Sequence, residues 1–256
     1  MRVLTSMFAR WFLLYFLLIC VGCGTVVSKH LRTFQDAQSA FDAEDYPLSI
    51  SLYQRLLEEG IRTGTVYYNL GNAYVKAGDS VRAVAAYYFA KRYIPNDPHL
   101  NANLLAVLSE NGGTLQPAKS SIIHSLFFWQ DSVGYHVKIW SSLLLTISAF
   151  LNGMLYLFRQ SRWIKRSLTV LAILSAIAFA SVGYDWYRFE GVEQAIVMKD
   201  AVPRKGNSEQ YEPAFVAPMP FGTLAVILDE RSGWYLMRFP SGQEGWLPQS
   251  QTFKIQ

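Results

Sequence analysis

Apolar residues along this chain are gathered into three long runs, and the segments between the runs mix apolar and polar positions. The first run, 11–23, follows a basic N-terminus and precedes small residues, an order typical of an export signal. Its 13 residues are too few to cross a bilayer core of about 30 Å comfortably. We therefore predict that 1–24 is a cleaved signal peptide or an uncleaved N-terminal anchor. Lipidation at Cys23 stays open as a third fate, although Cys20 occupies the position where a lipidation signal carries an aliphatic residue.

The second and third runs, 139–158 and 167–187, are each about 20 residues long, and a helix of that length spans about 30 Å. They predict a transmembrane helical hairpin over 139–187 with the loop 159–166. That loop has no acidic residue and carries four positive charges, on Arg159, Arg162, Lys165 and Arg166. Because short loops rich in Lys and Arg stay in the cytoplasm, both flanking segments are predicted to face the periplasm, beside a bacterial inner membrane.

Polar residues in and beside the hairpin have structural interpretations. Asn152 is predicted to bond the partner helix or its own backbone. Asp185, at the edge of the third run, is predicted to lie at the membrane interface rather than to relay protons. The preceding segment, 113–138, is predicted to be either a plain linker or a helix lying in the outer interface.

Small and aromatic residues between the first two runs recur with a spacing of 34. The paired positions are Ala37 and Gly71, Ser49 and Ala83, and Tyr53 and Tyr87. The segment 64–97 also carries the residues with which tetratricopeptide repeats pack their helices, namely Tyr67, Leu70, Gly71, Tyr74, Ala83, Tyr87, Ala90 and Pro95. The segment resembles tetratricopeptide repeats, and the resemblance implies an all-α solenoid over 30–112 whose last helix closes the stack.

The resemblance to tetratricopeptide repeats also implies a concave groove that binds peptides or proteins. Its lining would be the side chains of Gln38, Tyr68, Asn72, Lys76 and Asn103. A second interpretation stays open, in which Asn69 and Asn72 only bond neighbouring helices. Recognition of a free C-terminus is not expected, because the clamp positions carry Phe34 and His99 rather than Lys or Arg.

After the third run, short β-like stretches alternate with turns rich in Gly, Pro and Ser. Two Gly-Trp motifs, at Gly233-Trp234 and Gly245-Trp246, have the spacing of bacterial Src homology 3 domains, which 193–256 resembles. The resemblance implies a small all-β barrel that binds peptides or cell-wall fragments on an aromatic face. That face would contain Trp234, Tyr235, Trp246 and Pro248. At least one of the two tryptophans is expected in the core, and the loop 204–220 is expected to lie over the groove.

Composition restricts the chemistry that this chain can perform. Charged residues make up 16% and apolar residues 51%, which fits membrane segments. The four charges of the loop 159–166 match the net charge of +4, so no nucleic-acid partner is expected. Two cysteines and four scattered histidines predict neither a disulfide framework nor a metal site, and no phosphate-binding or nucleophile motif occurs. The chain is predicted to be a non-enzyme without cofactors.

The whole arrangement resembles the BatE family of bacterial aerotolerance proteins. The shared stretches are 67–79, 94–104 and 127–129, together with the two Gly-Trp motifs. The resemblance implies a multidomain inner-membrane scaffold that works with membrane proteins bearing von Willebrand A-type domains and with a MoxR-type ATPase, in oxidative or envelope stress. The alternative is an envelope sensor whose barrel binds peptidoglycan fragments.

Overall fold

The computed structural model describes residues 29–114 and 129–255. The predicted signal or anchor 1–24, with Cys23, lies outside the described residues. So does most of the predicted linker or interfacial helix 113–138. The described chain has a helical N-terminal region, two long apolar helices and a small antiparallel sheet at the C-terminus.

Five helices form the N-terminal region, and side-chain caps define where most of them begin. They are α1 (29–42), α2 (Tyr46–Glu58), α3 (Gly64–Lys76), α4 (Ser80–Tyr93) and α5 (Pro98–Glu110). Asp45, Thr63, Asp79 and Asp97 each accept a hydrogen bond from the backbone N–H three residues later, which satisfies a donor that the first helical turn leaves free. Glycines with positive φ, at 60, 78 and 112, follow α2, α3 and α5 and end them.

Residues that the 34-residue spacing relates lie where the two helices of each pair contact each other. The hydroxyl of Ser49 on α2 donates to the carbonyl of the buried Ala37 on α1, at 2.9 Å. One period later, Gly71 on α3 faces Tyr87 on α4 so closely that a Cβ at this glycine would lie 2.4 Å from the tyrosine ring. A small residue is therefore required wherever the two helices of a pair cross, which explains the period in the sequence.

Two long helices, α7 (Tyr135–Phe158) and α8 (Arg162–Glu190), follow the short helix α6 (Trp129–Ser132) and form an antiparallel hairpin. Both are long and apolar enough to cross a membrane. They extend beyond the predicted runs because a helix continues where its backbone groups stay bonded, whatever its side chains. The connection is correspondingly shorter than the predicted loop 159–166: only 159–161 separates the helices.

Polar side chains join the two helices of the hairpin at more than one level. Asn152 and Ser167 exchange hydrogen bonds of 3.0 and 3.2 Å, which confirms the prediction that Asn152 bonds the partner helix. Nearer the other end, the hydroxyls of Thr146 and Ser175 lie 2.8 Å apart. Hydrogen bonds of this kind stabilise helix pairs in an apolar environment, where unpaired polar groups have no water to bond.

The C-terminal region is a five-stranded antiparallel sheet. Its strands are β1 (Gln194–Val197), β2 (Leu224–Arg231), β3 (Trp234–Arg238), β4 (Glu244–Pro248) and β5 (Thr252–Ile255), in the order β4-β3-β2-β1-β5. The register of β2 and β3 shifts between Ile227 and Asp229, and a bulge of this kind bends the strand. The loop between β1 and β2 covers the edge of β4, where Arg204 and Trp246 exchange two backbone hydrogen bonds of 2.8 Å.

The helical region and the sheet share one hydrophobic core. Every residue of β1 is buried, because Ala195 and Val197 face the core of the sheet while Ile196, on the opposite face, packs with the helices. Phe221 also packs into the helical core, and the hydroxyl of Tyr88 on α4 donates to the carbonyl of Gly222 at 3.0 Å. The sequence predicts these two regions as separate modules on either side of the hairpin, but they form a single packed body.

The hairpin is attached to this body at the end of α8. The side chain of Arg92, on α4, is only 5% exposed, and its guanidinium lies 3.0 Å from the carboxylate of Glu190. The same guanidinium stacks over the rings of Tyr135 and Phe189, with distances of 4.1 and 4.8 Å to the ring centres. Arg62 reaches Glu190 from the α2–α3 connection, at 3.7 Å. Helices α4, α7 and α8 therefore meet at one joint.

Candidate functional site

Three of the five predicted groove residues of the helical region form one hydrogen-bonded network. The amide Nδ2 of Asn103, on α5, donates to the Tyr68 hydroxyl at 3.1 Å and to the Asn72 Oδ1 at 2.9 Å. The hydroxyl of Tyr87, on α4, donates to the same Asn72 Oδ1 at 2.7 Å. The network joins α3, α4 and α5, so Asn72 bonds neighbouring helices, as the second interpretation predicted.

The other two predicted groove residues, Gln38 and Lys76, lie outside this network. Gln38 is exposed on α1, and Lys76 is exposed at the last position of α3. Of the five predicted groove residues, only Gln38 and Lys76 have side chains that the described part of the helical region does not already engage. Sequence reasoning missed the contact between Gln54 and Tyr74, in which the amide donates to the tyrosine hydroxyl at 2.9 Å. No pattern in the sequence marks that contact.

Among the ionisable groups of the helical region, tyrosines have the most strongly shifted pKa values. Burial raises the pKa of Tyr53 and of Tyr67 to about 12, and it raises the pKa of Tyr88 to about 12 as well. The pKa of Tyr87 is raised further by its burial, against the opposing effect of its amide partners. Each of these phenols therefore stays protonated near neutral pH.

A shallow groove opens on the sheet where the start of β3 and the end of β4 meet the loop between β1 and β2. Its volume is about 520 Å³, and its apolar floor comes from Trp234 and Pro248, which are cross-strand partners. The rest of the lining is polar: Asn207, Ser208, Glu209, Gln210, Ser250 and Gln251. The loop 204–220 therefore forms one wall of the groove rather than a lid over it.

The predicted aromatic face of the sheet is divided between its two sides. Trp234 and Trp246 are both partly exposed, whereas Tyr235 is 8% exposed and packs with Met237 in the sheet core. The expectation of a tryptophan in the core is wrong, because alternation along β3 turns Tyr235 inward and Trp234 outward. Arg231 approaches the ring of Trp246, at 5.8 Å from its centre. Trp234 and Pro248 are the predicted residues that line the groove.

A buried ion pair lies at the end of the hairpin that meets the helical region. The Nζ of Lys138, on α7, is 2.7 Å from the Oδ2 of Asp185, on α8, and both side chains are 5% exposed. Gln130 donates to the other carboxylate oxygen at 2.6 Å and accepts from the Ser181 hydroxyl, also at 2.6 Å. Asp185, which the sequence predicts at the membrane interface, is shielded from solvent beside Lys138, a partner that compensates its charge.

The four cations of the predicted cytoplasmic loop are all exposed. Arg159 lies in the connection, while Arg162, Lys165 and Arg166 belong to the first turns of α8. Trp163 is 76% exposed beside them, with the guanidinium of Arg166 at 5.4 Å from its ring centre. The structure thus keeps these charges together on one end of the hairpin.

Comparisons with known proteins find similarity among solved structures. No protein-family profile matches the chain, and no curated protein matches it. One of the solved structures that match the chain is the C-terminal Src homology 3 domain of myosin IB from Entamoeba histolytica, bound to the EhFP10(GEF) peptide. It is 22% identical, with a TM-score of 0.19, and the match covers 25% of this chain and 95% of that one.

Metal-binding geometry is not found in the part of the chain that the structure describes. Across 29–114 and 129–255, no three His, Cys, Asp or Glu side chains converge on a point where a metal ion would sit. The polar groups that the structure does bring together are the amides and tyrosines of the helical region, the polar wall of the groove and the ion pair of the hairpin.

Proposed function

We propose that this protein is a non-enzymatic membrane scaffold that binds partner proteins on a single body built from its helical region and its sheet. The observation that carries the proposal is the groove at Trp234 and Pro248. All of the residues that line it belong to the sheet region, whereas packing against the helices uses Ile196 and Phe221. The groove therefore stays accessible while the sheet is fixed in place.

In this proposal the helices α1 to α5 are tetratricopeptide repeats, and the exposed Gln38 and Lys76 belong to a second contact surface. An export signal at the N-terminus and the basic end of the hairpin support a topology with both regions in the periplasm. Once a partner binds one of the two contact surfaces, its effective concentration at the other surface is high. Modest affinities therefore suffice for stable capture.

The partners that we propose are membrane proteins bearing von Willebrand A-type domains, in a complex served by a MoxR-type ATPase. The support for them is the resemblance of the stretches 67–79 and 94–104 to BatE proteins. The physiological role would then be aerotolerance or resistance to envelope stress.

Photo-crosslinking in intact cells tests this proposal. A photoreactive residue replaces Gln210 in the groove wall or Lys76 on the helical region, and the matched control replaces Gln243, which is exposed on the β3–β4 loop. We expect crosslinks to a von Willebrand A-type membrane protein from the first two positions and not from the control. Equal crosslinking at all three positions, or none at the first two, would contradict the scaffold.

A second candidate function is an envelope sensor that binds peptidoglycan fragments. It is favoured by the composition of the groove, in which six of the eight lining residues are polar and suit an amide-rich ligand. Titration of the full-length protein in detergent with purified muropeptides, followed by tryptophan fluorescence, separates the two candidates. The sensor requires a saturable change that Trp234→Phe removes, whereas the scaffold predicts no change.

A further inference from the structure

The end of the hairpin opposite the helical region carries four exposed positive charges. The sequence has no acidic residue from 132 to 184. Within the described residues, no carboxylate lies at ion-pair distance from the four exposed cations, which are Arg159, Arg162, Lys165 and Arg166. Lys138 is the only other Lys or Arg of this stretch, and its partner Asp185 lies at the far end of the hairpin.

Exposed aromatic residues indicate the depth of these charges relative to a bilayer. Trp140 and Phe158 on α7 are 67% and 84% exposed, and the 18 helical steps between them span about 27 Å. Trp163 and Tyr184 on α8 are 76% and 52% exposed and lie about 32 Å apart. Both separations match a hydrocarbon core of about 30 Å, and Trp and Tyr prefer its two boundaries. Arg159 and Arg162 lie outside these two spans, at the level of the lipid phosphates. Lys165 and Arg166 lie within one helical turn of Trp163, and their side chains are long enough to reach the same level.

We propose that Arg159, Arg162, Lys165 and Arg166 form a binding surface for anionic phospholipid headgroups. The charges are complementary, and guanidinium groups bind phosphate through two parallel hydrogen bonds. Trp163 anchors the surface at the correct depth and holds Arg166 near its ring. The surface recruits anionic lipids around the hairpin, and this role does not depend on which proteins the helical region or the sheet binds.

The test uses the full-length protein in nanodiscs that contain equal amounts of phosphatidylcholine and phosphatidylglycerol. Because both leaflets of a nanodisc have the same composition, the direction of insertion does not affect the result. After mild extraction, native mass spectrometry counts the lipids that remain bound. We expect phosphatidylglycerol to be retained about fivefold over phosphatidylcholine, the factor that a single cation near an anionic surface supplies. Substitution of all four cations by Gln is expected to abolish the preference.

Two control variants separate local charge from total charge. The first, Arg159→Lys with Arg162→Lys and Arg166→Lys, keeps the charges and is expected to keep the preference. The second removes four exposed cations elsewhere, through Arg32→Gln, Lys76→Gln, Lys199→Gln and Lys205→Gln, and is also expected to keep it. Circular dichroism checks that every variant is folded.

Three results would overturn the proposal. The first is equal retention of the two lipids by the wild-type protein, and the second is a preference that survives the four Gln substitutions. The third is loss of the preference in the variant that lacks four exposed cations elsewhere. Ionic strength supplies a further requirement, because cations outside the hydrocarbon core are screened by salt. The preference must fall as the salt concentration rises before extraction, and a preference independent of salt would also contradict headgroup binding.

Discussion

Asn72 shows how one side chain of this protein serves both packing and a predicted groove. Its Oδ1 accepts two hydrogen bonds, from Tyr87 and from Asn103, and these bonds join three helices. Lys76, one helical turn further along α3, is exposed and makes no comparable contact. Two residues on the same helix and in the same predicted groove therefore have different physical roles.

We predict that Asn72→Ala lowers the free energy of unfolding by about 1–3 kcal/mol, because it leaves a tyrosine hydroxyl and an amide without their acceptor. Lys76→Ala should change it by less than about 0.5 kcal/mol. Chemical unfolding of the full-length protein in detergent, followed by circular dichroism, measures both. A double-mutant cycle with Tyr87→Phe should show coupling for Asn72 and none for Lys76; equal effects of the two single substitutions would contradict the network.

Buried tyrosines predict that the protein loses stability at alkaline pH. Burial raises the pKa of Tyr53, Tyr67 and Tyr88 to about 12, whereas in the unfolded chain tyrosines ionise near pH 10. Between pH 10 and pH 12 the unfolded chain has lost protons that the folded chain keeps, so the free energy of unfolding decreases as the pH rises. Urea unfolding at several pH values measures the slope, which Tyr88→Phe should reduce. A slope of zero would contradict the burial of these phenols.

At the scale of elements, the hairpin depends on polar contacts between helices whose other surfaces are apolar. Small polar residues bond across the helix pair at Asn152 and at Thr146, and the ion pair between Lys138 and Asp185 closes one end. Removal of one partner of a buried ion pair leaves an uncompensated charge, whereas removal of both leaves none. Single substitutions of this pair should therefore be more destabilising than the double substitution, which is not expected for an exposed ion pair.

We expect Lys138→Met and Asp185→Leu to destabilise the hairpin by about 3–5 kcal/mol each. The double substitution Lys138→Met with Asp185→Leu should be much less destabilising than the sum of the single substitutions. Thermal unfolding in detergent micelles measures all three, with Lys165→Met as a control for the loss of an exposed cation. Additive effects of the two single changes would show that the two charges do not interact.

At the scale of the whole molecule, the sheet acts as part of the helical core. Phe221 and Ile196 pack among the helices, and Gly222 lies where the two regions approach most closely. A Cβ on Gly222 would lie 2.0 Å from the Cδ2 of Leu108, and its φ of +78° already disfavours any other residue. The sheet cut out as an isolated fragment would expose this apolar surface, so binding measurements belong to the full-length protein.

Gly222→Ala is predicted to destabilise the protein more than Gly233→Ala, by about 1–3 kcal/mol. Both glycines have nearly the same positive φ, but Gly233 has open space where its Cβ would lie. The difference between the two variants isolates the overlap with Leu108, since the backbone strain is common to both. Thermal unfolding of the full-length protein measures it. Addition of Leu108→Ala should narrow the difference, and equal effects of both glycine substitutions would contradict the shared core.

The sequence by itself determined the elements of this protein. Two apolar runs predicted the hairpin, a 34-residue spacing predicted where small residues meet aromatic ones, and the Gly-Trp motifs predicted the small sheet. These features are accessible because helix and strand periods, caps and turns depend on residues a few positions apart. The hydrogen bond of Asn152 was also predictable from the sequence, since a polar residue within an apolar helix needs a hydrogen-bonding partner nearby.

Only the tertiary structure decided how the elements combine. Tyr88 and Gly222 are 134 positions apart, and no local pattern marks the face that β1 turns toward the helices. The burial of Asp185 depended on Lys138, which lies outside the run that was taken as the membrane helix. Contacts of this kind result from the packing of many side chains at once, and each contributes too little to leave a signature in the sequence. For that reason the sequence predicted separate modules, whereas the structure joins them around one core.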